Sequence, residues 1–412
     1  MADFNRLFQE SLTGVNQFEK KLTPRFEYAD LYTFAQNKVT PVYNWFYYKE
    51  GYSRDFVLGA LKELDVPTGS QILDPFCGTG TTLLAAKEAG YGSVGFDILP
   101  LGVFVSKVKL EDYDVSELRE AVSRLCTMRY RQPESKLVDI RFLDMRKVFT
   151  PYARNDIAFF RENIMAVEDE KVRNFLMLGL ISIVGQASNV MKDGGVLRLV
   201  RKNHMPPVRH LLKNKLKRMV KDVEGRKMES GVDWSVDVGD ARNLQLDDAS
   251  VDAMITSPPY LNFVDYTKVY ALELSLLLSS TKELENFRRR TMRSHIGAEY
   301  ERKGDVTPTD VLGRVTGDAK TPVIVEGYMR DLYMALQETK RVLKPGGCAV
   351  YVVGNVSLPG ITVDVDLMLA ELGEKIGLQV EDIWVGNVRW ADVHDIKKER
   401  PARESAVVLR RV

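Results

Sequence analysis

Residues 71–97 read QILDPFCGTGTTLLAAKEAGYGSVGFD and decide how the rest of the chain is interpreted. The apolar residues before Asp74 predict a buried strand, and the glycine-bearing loop CGTGTT leads into the helical stretch LLAAKEAG. A second apolar run, SVGFD, ends at Asp97. The stretch is therefore a β-loop-α-β unit, which is typical of an α/β protein with a parallel sheet.

The same alternation of strands and helices returns after residue 232. Strands are expected in WSVDVGDA, VDAMITSPPY and CAVYVVGN, and helices near residues 328–343 and 363–376. Two further apolar runs, VEDIWVGNVRW and SAVVLRR, are expected to be terminal strands of the same sheet. The predicted fold class is α/β, with a mostly parallel sheet flanked by helices and an inserted helical subdomain.

Composition narrows the class of protein. The chain has 412 residues, a formal net charge of +1, three cysteines and four histidines, with no CxxC pair. This argues against a disulfide framework or a zinc module, so we expect no metal and a reducing, cytoplasmic setting. The N-terminus lacks the apolar run of a secretory signal, and the longest apolar stretch, Phe175 to Gly185, is too short to span a membrane.

The loop from Asp74 to Thr82 has the residues of a ligand-binding turn. Its glycines let backbone N–H groups approach a ligand, and the following helix offers its N-terminus. The loop lacks the third glycine of GxGxxG and is not a GxxxxGK loop, which disfavours a dinucleotide or a nucleoside triphosphate. Asp97 ends the next strand, where its carboxylate can accept ribose hydroxyls. Asp240 can accept a hydrogen bond from an adenine amine while the Ala241 N–H donates to a ring nitrogen. The alternatives are a simple tight turn for the glycine loop and a turn residue or helix cap for Asp240.

The second motif is Thr256-Ser257-Pro258-Pro259-Tyr260, directly after the apolar strand VDAMI. Two consecutive prolines fix φ and remove two backbone donors, which leaves rigid carbonyl acceptors. An exocyclic amine supplies matching N–H donors, Ser257 Oγ can accept another hydrogen bond, and Tyr260 offers a flat face to a base. The alternative is an ordinary strand-ending turn with a packed tyrosine.

Together, DPFCGTGTT and TSPPY resemble the class I S-adenosylmethionine-dependent DNA amino-methyltransferases, whose catalytic motif reads (D/N/S)PP(Y/F/W). The resemblance implies S-adenosylmethionine as cofactor and a catalytic motif made of Ser257, Pro258, Pro259 and Tyr260. It also implies that Asp74, Phe76, Gly78 and Gly80 line the methionine portion of the cofactor. Asp97 would then hold the ribose, and Asp240 with Ala241 the adenine. The segment KEGYS before the first strand adds Ser53 as a further cofactor contact.

The resemblance also suggests a division of the chain. Residues 1–40 form an N-terminal arm, and residues 41–110 and 232–412 form a discontinuous catalytic domain. Residues 111–231 are expected to be a helical insertion that takes part in nucleic-acid recognition. Residues 280–325 are expected to be a loop-rich insertion within the catalytic domain.

The expected reaction is direct in-line methyl transfer to an exocyclic amine of a flipped base in double-stranded DNA. Ser257 in the first motif position favours cytosine N4, because adenine-directed relatives most often carry Asp or Asn there. Methylation of cytosine C5 would need a nucleophilic cysteine, usually in a Pro-Cys pair, and no cysteine here follows a proline. Three alternatives stay open: adenine-N6 methylation, methylation of an RNA base, and an inactive nucleic-acid-binding protein with the same fold.

Two basic clusters are candidates for contacting phosphates. From Arg201 to Lys227 there are ten Lys or Arg residues against two acids. A solvated helix surface is the alternative interpretation of this charge. The candidate contacts in the two clusters are Lys213, Lys215, Lys217 and Arg218, and then Arg288, Arg289 and Arg290. DNA is the expected partner, and a cognate restriction enzyme, as in a restriction-modification pair, is a second partner to be tested for.

Overall fold

A computed structural model describes residues 9–135, 137–139, 144–202, 204–226, 231–261, 264–295, 297–299, 321–358, 361–390 and 401–412. Within these residues, eight strands form one sheet in the order β1-β11-β12-β8-β7-β2-β3-β6. Their bounds are β1 Leu22–Pro24, β2 Gln71–Asp74, β3 Gly92–Asp97, β6 Trp234–Val238, β7 Val251–Thr256, β8 Leu343–Gly354, β11 Leu378–Arg389 and β12 Ala402–Arg411. Two further pairs lie outside it: β4 Val190–Asp193 with β5 Val196–Leu199, and β9 Val356–Leu358 with β10 Ile361–Val363.

The helices flank this sheet or build the segment between β3 and β6. They are α1 Arg54–Glu63, α2 Thr81–Glu88, α3 Pro100–Leu110, α4 Val115–Thr127, α5 Met145–Val148, α6 Pro151–Met165, α7 Glu170–Ile183, α8 Val208–Gly225, α9 Tyr266–Val269, α10 Ala271–Leu277, α11 Thr281–Arg290, α12 Thr321–Val342 and α13 Val365–Lys375. In the described part of the chain no helix is long and apolar enough to cross a membrane.

The predicted fold class is confirmed. Strands β6, β3, β2, β7 and β8 run parallel to one another, and β12 runs antiparallel to both β8 and β11. The two terminal apolar runs are β11 and β12 of this sheet, as expected. The β-loop-α-β unit of residues 71–97 is β2, α2 and β3.

The strand order places the two sequence motifs side by side. From β2 the chain moves outward to β3 on one side, and β7 later pairs with β2 on the other side. The carboxyl ends of β2 and β7 therefore flank a topological switch point, where ligands bind in open α/β sheets. The glycine loop follows β2, and Ser257 to Tyr260 follow β7.

Three segments differ from the sequence-based expectation. The segment expected to be a helical insertion also contains the β4–β5 hairpin, because a Gly194-Gly195 turn favours paired strands there. Residues Thr281–Arg290 form α11, which Ser280 caps and whose Leu284 is buried. In the N-terminal arm, β1 pairs with β11 and adds a strand to the sheet. The proposed domain boundaries stay predictions.

A buried ion pair fixes the start of β12. Arg403 donates through Nε to Asp366 Oδ2 at 2.9 Å and through Nη2 to Asp364 Oδ1 at 2.9 Å. Both charges of the Arg403 and Asp366 pair are fully buried, so each depends on the other for compensation. The next residue, Glu404, is thereby held at the edge of the sheet where the site lies.

Candidate active site

A cavity of about 500 Å³ opens at the carboxyl ends of β2, β3 and β7. Both sequence motifs line it. The expected site residues found in its wall are Asp74, Phe76, Gly78, Asp97, Asp240, Ala241, Ser257, Pro258, Pro259 and Tyr260. This volume is within the range of small-molecule and cofactor pockets.

A hydrogen bond joins the two motifs directly. Thr256 Oγ1, at the end of β7, donates to Asp74 Oδ1, at the end of β2, over 2.6 Å. The Tyr52 hydroxyl donates to Asp74 Oδ2 at 3.2 Å and lies 2.5 Å from Thr82 Oγ1. Asp74 also accepts from the Phe76 N–H at 3.1 Å. Because these partners use both oxygens of a nearly fully buried carboxylate, Asp74 positions the loop and the strand end together.

The glycine loop folds around Asp97. Gly78 has φ of +48° and donates its N–H to Asp97 Oδ2 at 2.9 Å. Leu99 N–H donates to Asp97 Oδ1 at 2.8 Å. A carboxylate has about four acceptor positions, so each oxygen of Asp97 can accept one more hydrogen bond from a ligand.

Helix α3 holds the loop carbonyls from behind. Ser106 Oγ donates to the Gly78 carbonyl at 3.1 Å, and the buried Lys109 ammonium donates to the Thr79 carbonyl at 3.0 Å. A Cβ on Gly80, whose φ is +77°, would lie 2.7 Å from Ser106 Oγ. Gly80 is therefore needed for close packing of loop and helix and does not itself line the cavity.

Burial changes the acidity of the two central carboxyls. Desolvation raises the pKa of Asp74 to about 6, although hydrogen bonds from Thr256 and Thr82 oppose the shift. Desolvation likewise raises the pKa of Asp97 to about 6, against the N–H groups of Leu99 and Gly78. Both groups are therefore mainly ionised at neutral pH and become protonated in mildly acidic solution.

Asp240 is already paired within the protein. Its two oxygens accept from Arg242 Nε at 2.8 Å and Arg242 Nη2 at 2.7 Å. Arg242 also contacts Asp331 at 2.9 Å, which fixes the guanidinium. Asp240 and Ala241 both line the cavity, and a carboxylate has about four acceptor positions, so the proposed adenine contact is compatible with this geometry.

The second motif meets the end of β12. The Tyr260 hydroxyl donates to Glu404 Oε1 at 3.2 Å and accepts a hydrogen bond from Ser257. A Cβ on Gly354 would lie 3.0 Å from the Tyr260 ring, so one face of the ring packs on that glycine. Asn387 and Arg389, on β11, line the cavity with Glu404, and burial raises the pKa of Glu404.

Ser53 requires a correction. The resemblance implied a cofactor contact, but Ser53 is fully buried and does not line the cavity. Its hydroxyl accepts from the Phe56 N–H and caps α1, which is the usual role of a serine before a helix.

The basic candidates on α8 differ in their exposure to solvent. Lys213, Lys217 and Arg218 are exposed on α8 but do not line the cavity. Lys215 is corrected: it donates to the Asn44 carbonyl at 3.2 Å, and burial lowers its pKa to about 8, so it is not placed to contact a phosphate.

The arginine cluster lies nearer to the cavity. Arg290 is exposed and lines the cavity. Arg289 is exposed, whereas Arg288 pairs with Asp265 at 2.6 Å. The structure thus favours Arg290 over the α8 residues as a contact close to the reacting base.

Sequence reasoning missed the aromatic wall of the cavity. The ring of Tyr48 covers Gly78, where an added Cβ would lie 3.1 Å away, and stacks on Tyr270 with ring centroids 5.1 Å apart. Tyr270 donates to Glu50 at 2.6 Å, and Glu50 lines the cavity. The aromatic run from Trp45 to Tyr48 was the available signal, but aromatic runs are common in buried cores.

The chain's own residues fit S-adenosylmethionine. At Gly78 the backbone can approach a ligand closely, and the Asp97 carboxylate has acceptor positions left for it. The acidic side chains of the cavity suit a cationic ligand. Among the described residues, no cluster of three His, Cys, Asp or Glu side chains is arranged to hold a metal ion. The sheet and its glycine loop form a class I methyltransferase-like α/β fold, and the cavity at its strand ends fits S-adenosylmethionine as the cofactor.

Comparison with known proteins gives a narrower group. The profile of the N6_N4_Mtase family, described as DNA methylase, matches residues 57–100. The Type II methyltransferase M.BsoBI from Geobacillus stearothermophilus is 28% identical over 415 residues, covering 85% of this chain and 81% of the relative. M.AvaI from Nostoc sp. is 26% identical over 440 residues, covering 93% and 91%. These matches confirm the resemblance to the S-adenosylmethionine-dependent DNA amino-methyltransferases.

A solved structure of a TehB-like SAM-dependent methyltransferase from Corynebacterium glutamicum is 11% identical, with 87% of each chain covered and a TM-score of 0.28. That overall likeness is too low to add to the argument.

We expect affinity for S-adenosylmethionine to fall as the pH drops through about 6. Above that pH, Asp74 and Asp97 are ionised and accept hydrogen bonds; below it they take up protons, because their pKa values are raised to about 6. Binding that favours the ionised form weakens by up to about ten-fold per group and pH unit. Asp97→Ala should lose ~1.5–3 kcal/mol of binding free energy at pH 8 and show a shallower pH dependence.

Isothermal titration calorimetry between pH 5 and 8 measures both effects. Asp237→Ala is the matched control, since Asp237 is an exposed strand acid paired only at the surface with Lys107. A dissociation constant that does not change with pH, or an Asp97→Ala variant that behaves like the control, would remove Asp97 from the site.

Proposed function

We propose that this protein methylates N4 of cytosine in double-stranded DNA, by direct in-line transfer from S-adenosylmethionine to a base flipped out of the duplex. The observation that carries the proposal is the single cavity shared by the glycine loop and Ser257 to Tyr260. We further propose that it is the modification enzyme of a Type II restriction-modification system, as the names of M.BsoBI and M.AvaI suggest.

The state of the cysteines supports an amine acceptor over carbon C5. All three cysteines lie in the described part of the chain and are buried. Burial raises the pKa of Cys77, Cys126 and Cys348, so each is held as a thiol. Attack on the pyrimidine ring needs a thiolate. Cys77 lines the cavity, but the carboxylates of Asp97 and Asp74 oppose its ionisation.

The residues of the second motif have a positioning task. S-adenosylmethionine, when bound, supplies a methyl group on a sulfonium sulfur that leaves as a neutral thioether. Ser257 and the Pro258 carbonyl would accept the N–H hydrogens of the amine and direct its lone pair to the methyl group, and one of these protons would pass to solvent once the C–N bond has formed. Tyr260 stacks on the base, and its hydrogen bond to Glu404 fixes the angle of the ring.

The part of the cavity wall formed by Asn387 and Arg389 supports the proposal of cytosine over adenine. Beside its amine, cytosine presents two acceptors, N3 and O2, whereas adenine presents N1 and then a C–H. Asn387 and Arg389 line the cavity with Tyr260, and both carry N–H donors suited to an acceptor such as O2. Asn387 is half-buried and also hydrogen-bonds Glu404, and Arg389 is exposed, so the preference would come from an added hydrogen bond to O2, which adenine lacks.

The test is analysis of nucleosides from a bacterial host that lacks its own DNA amino-methyltransferases and expresses this protein. We expect N4-methylcytosine in the DNA, detected by mass spectrometry, and no methylated base in cells expressing Ser257→Ala. Sequencing of the methylated positions would give the recognised site.

Each other result has a defined meaning. N6-methyladenine without N4-methylcytosine would overturn the cytosine assignment and leave the amino-methyltransferase activity standing. Methylation confined to RNA would overturn the DNA assignment. No methylated base, from a protein that binds S-adenosylmethionine, would support an inactive nucleic-acid-binding protein.

Tyr260→Ala should lower turnover and leave the affinity for S-adenosylmethionine within about two-fold, because Tyr260 is assigned to the base and stacking on an aromatic ring contributes ~1–3 kcal/mol. Tyr260→Phe keeps the ring and loses the hydroxyl with its hydrogen bonds to Glu404 and Ser257, so it should retain more activity than Tyr260→Ala. Single-turnover rates and calorimetry measure the two quantities. Equal losses of rate and cofactor affinity in Tyr260→Ala would show that this residue does not act on the base alone.

A further inference from the structure

The β4–β5 hairpin stands beside the cavity and has no part in the chemistry described above. Its turn, Gly194-Gly195, lines the cavity together with Ser257 to Tyr260. A Cβ on Gly195 would lie 3.0 Å from Val264 Cγ2, so the turn rests on the segment that follows the second motif. The hairpin tip therefore lies where a base must pass to reach the site.

The inner face of the hairpin is firmly anchored. Val190 is buried, and Leu197 packs against the same core. Lys192 pairs with Glu273 at 2.7 Å and lies 3.7 Å from the centre of the Tyr270 ring. Tyr270 in turn stacks on Tyr48 above the glycine loop. The position of the hairpin is thus fixed relative to the cofactor subsite.

The outer face carries two apolar side chains and one ion pair and lies open to solvent. Cross-strand pairing places Met191 opposite Arg198, and Asp193 opposite Val196, on this face. Met191 is 49% exposed and Val196 57% exposed. Arg198 is 64% exposed and pairs with Asp193, on the same face, at 2.8 Å, and the whole segment 189–202 contains four basic side chains against one acid. Exposed apolar side chains beside an arginine that can exchange Asp193 for a phosphate suit a partner that offers both stacked bases and phosphates.

We propose that this hairpin enters the duplex at the target site and that Val196 and Met191 fill the space that the flipped base leaves. The major groove of B-DNA admits a two-stranded β-ribbon, and apolar side chains are a known means of separating base steps. Arg198 is placed to contact a phosphate beside the gap. The proposal rests on the proposed function, since only an enzyme that acts on an extrahelical base needs such a wedge.

The test distinguishes an effect of the hairpin on base flipping from an effect on methyl transfer itself. Two duplexes carry the recognised site, one with the target cytosine paired to guanine and one with it opposite an abasic position. Single-turnover methylation is measured for the wild type, for the double variant Met191→Ser with Val196→Ser, and for a control double variant, Met165→Ser with Val412→Ser. Met165 and Val412 are 55% and 79% exposed and lie outside the cavity wall. The affinity of each variant for S-adenosylmethionine reports an intact fold.

On the paired duplex we expect the hairpin variant to be slower than the wild type by about ten-fold, which is within the cost of unstacking one base step. On the abasic duplex, where the base is already unpaired, its rate should return to within about three-fold of the wild type. The control variant should match the wild type on both.

Equal losses on both duplexes, or no loss on either, would overturn the hairpin proposal while the proposed function stands. A wild-type protein that methylates neither duplex would overturn the proposed function itself.

Discussion

The site depends on the hydrogen bond between Thr256 and Asp74. It crosses from the end of β7 to the end of β2, so it fixes the second motif relative to the glycine loop. Its length is 2.6 Å, and breaking it is costly because Asp74 Oδ1, inside the core, would keep only the Phe76 N–H as a donor. Tyr52 closes the same cluster from a third segment. In-line methyl transfer requires the methyl donor and the acceptor amine to be positioned accurately relative to each other. The hydrogen bonds around Asp74 fix the two motifs that would hold them.

In the proposed reaction, the sheet topology divides the cavity into a cofactor side and a base side. On the cofactor side, Asp97 and the loop that it holds provide the polar groups, and Tyr48 covers them. On the base side, Tyr260 and Glu404 are fixed by β8 and β12, the latter anchored through Arg403. The buried ion pair of Arg403 and Asp366 therefore has a structural role. It holds side chains from distant parts of the chain together in the wall of the cavity.

The sequence predicted the fold and the glycine-loop residues that line the cavity, for local reasons. Strand, glycine loop and helix follow one another within residues 71–97, so their arrangement is set by short connections. The role expected for Ser53 was wrong, since a serine before a helix is more often a cap. Lys215 was misjudged because residue type alone does not say which face of α8 is buried. Glu404, Asn387 and Arg389 could not be found, because they reach the cavity only through the pairing of strands far apart in sequence. The hairpin was missed because its short strands lie among helices.

The central claim is that one cavity brings the methyl donor and a base amine together for a single direct transfer. The most direct measurement uses S-adenosylmethionine whose methyl group is chiral through hydrogen isotopes. The methylated nucleoside is isolated from duplex DNA, and the configuration of its methyl group is determined. One in-line displacement predicts a methyl group on the exocyclic nitrogen with inverted configuration. Retention of configuration would require two transfers through a group on the enzyme, and a methyl group on a ring carbon would require a different nucleophile; either result would contradict this account.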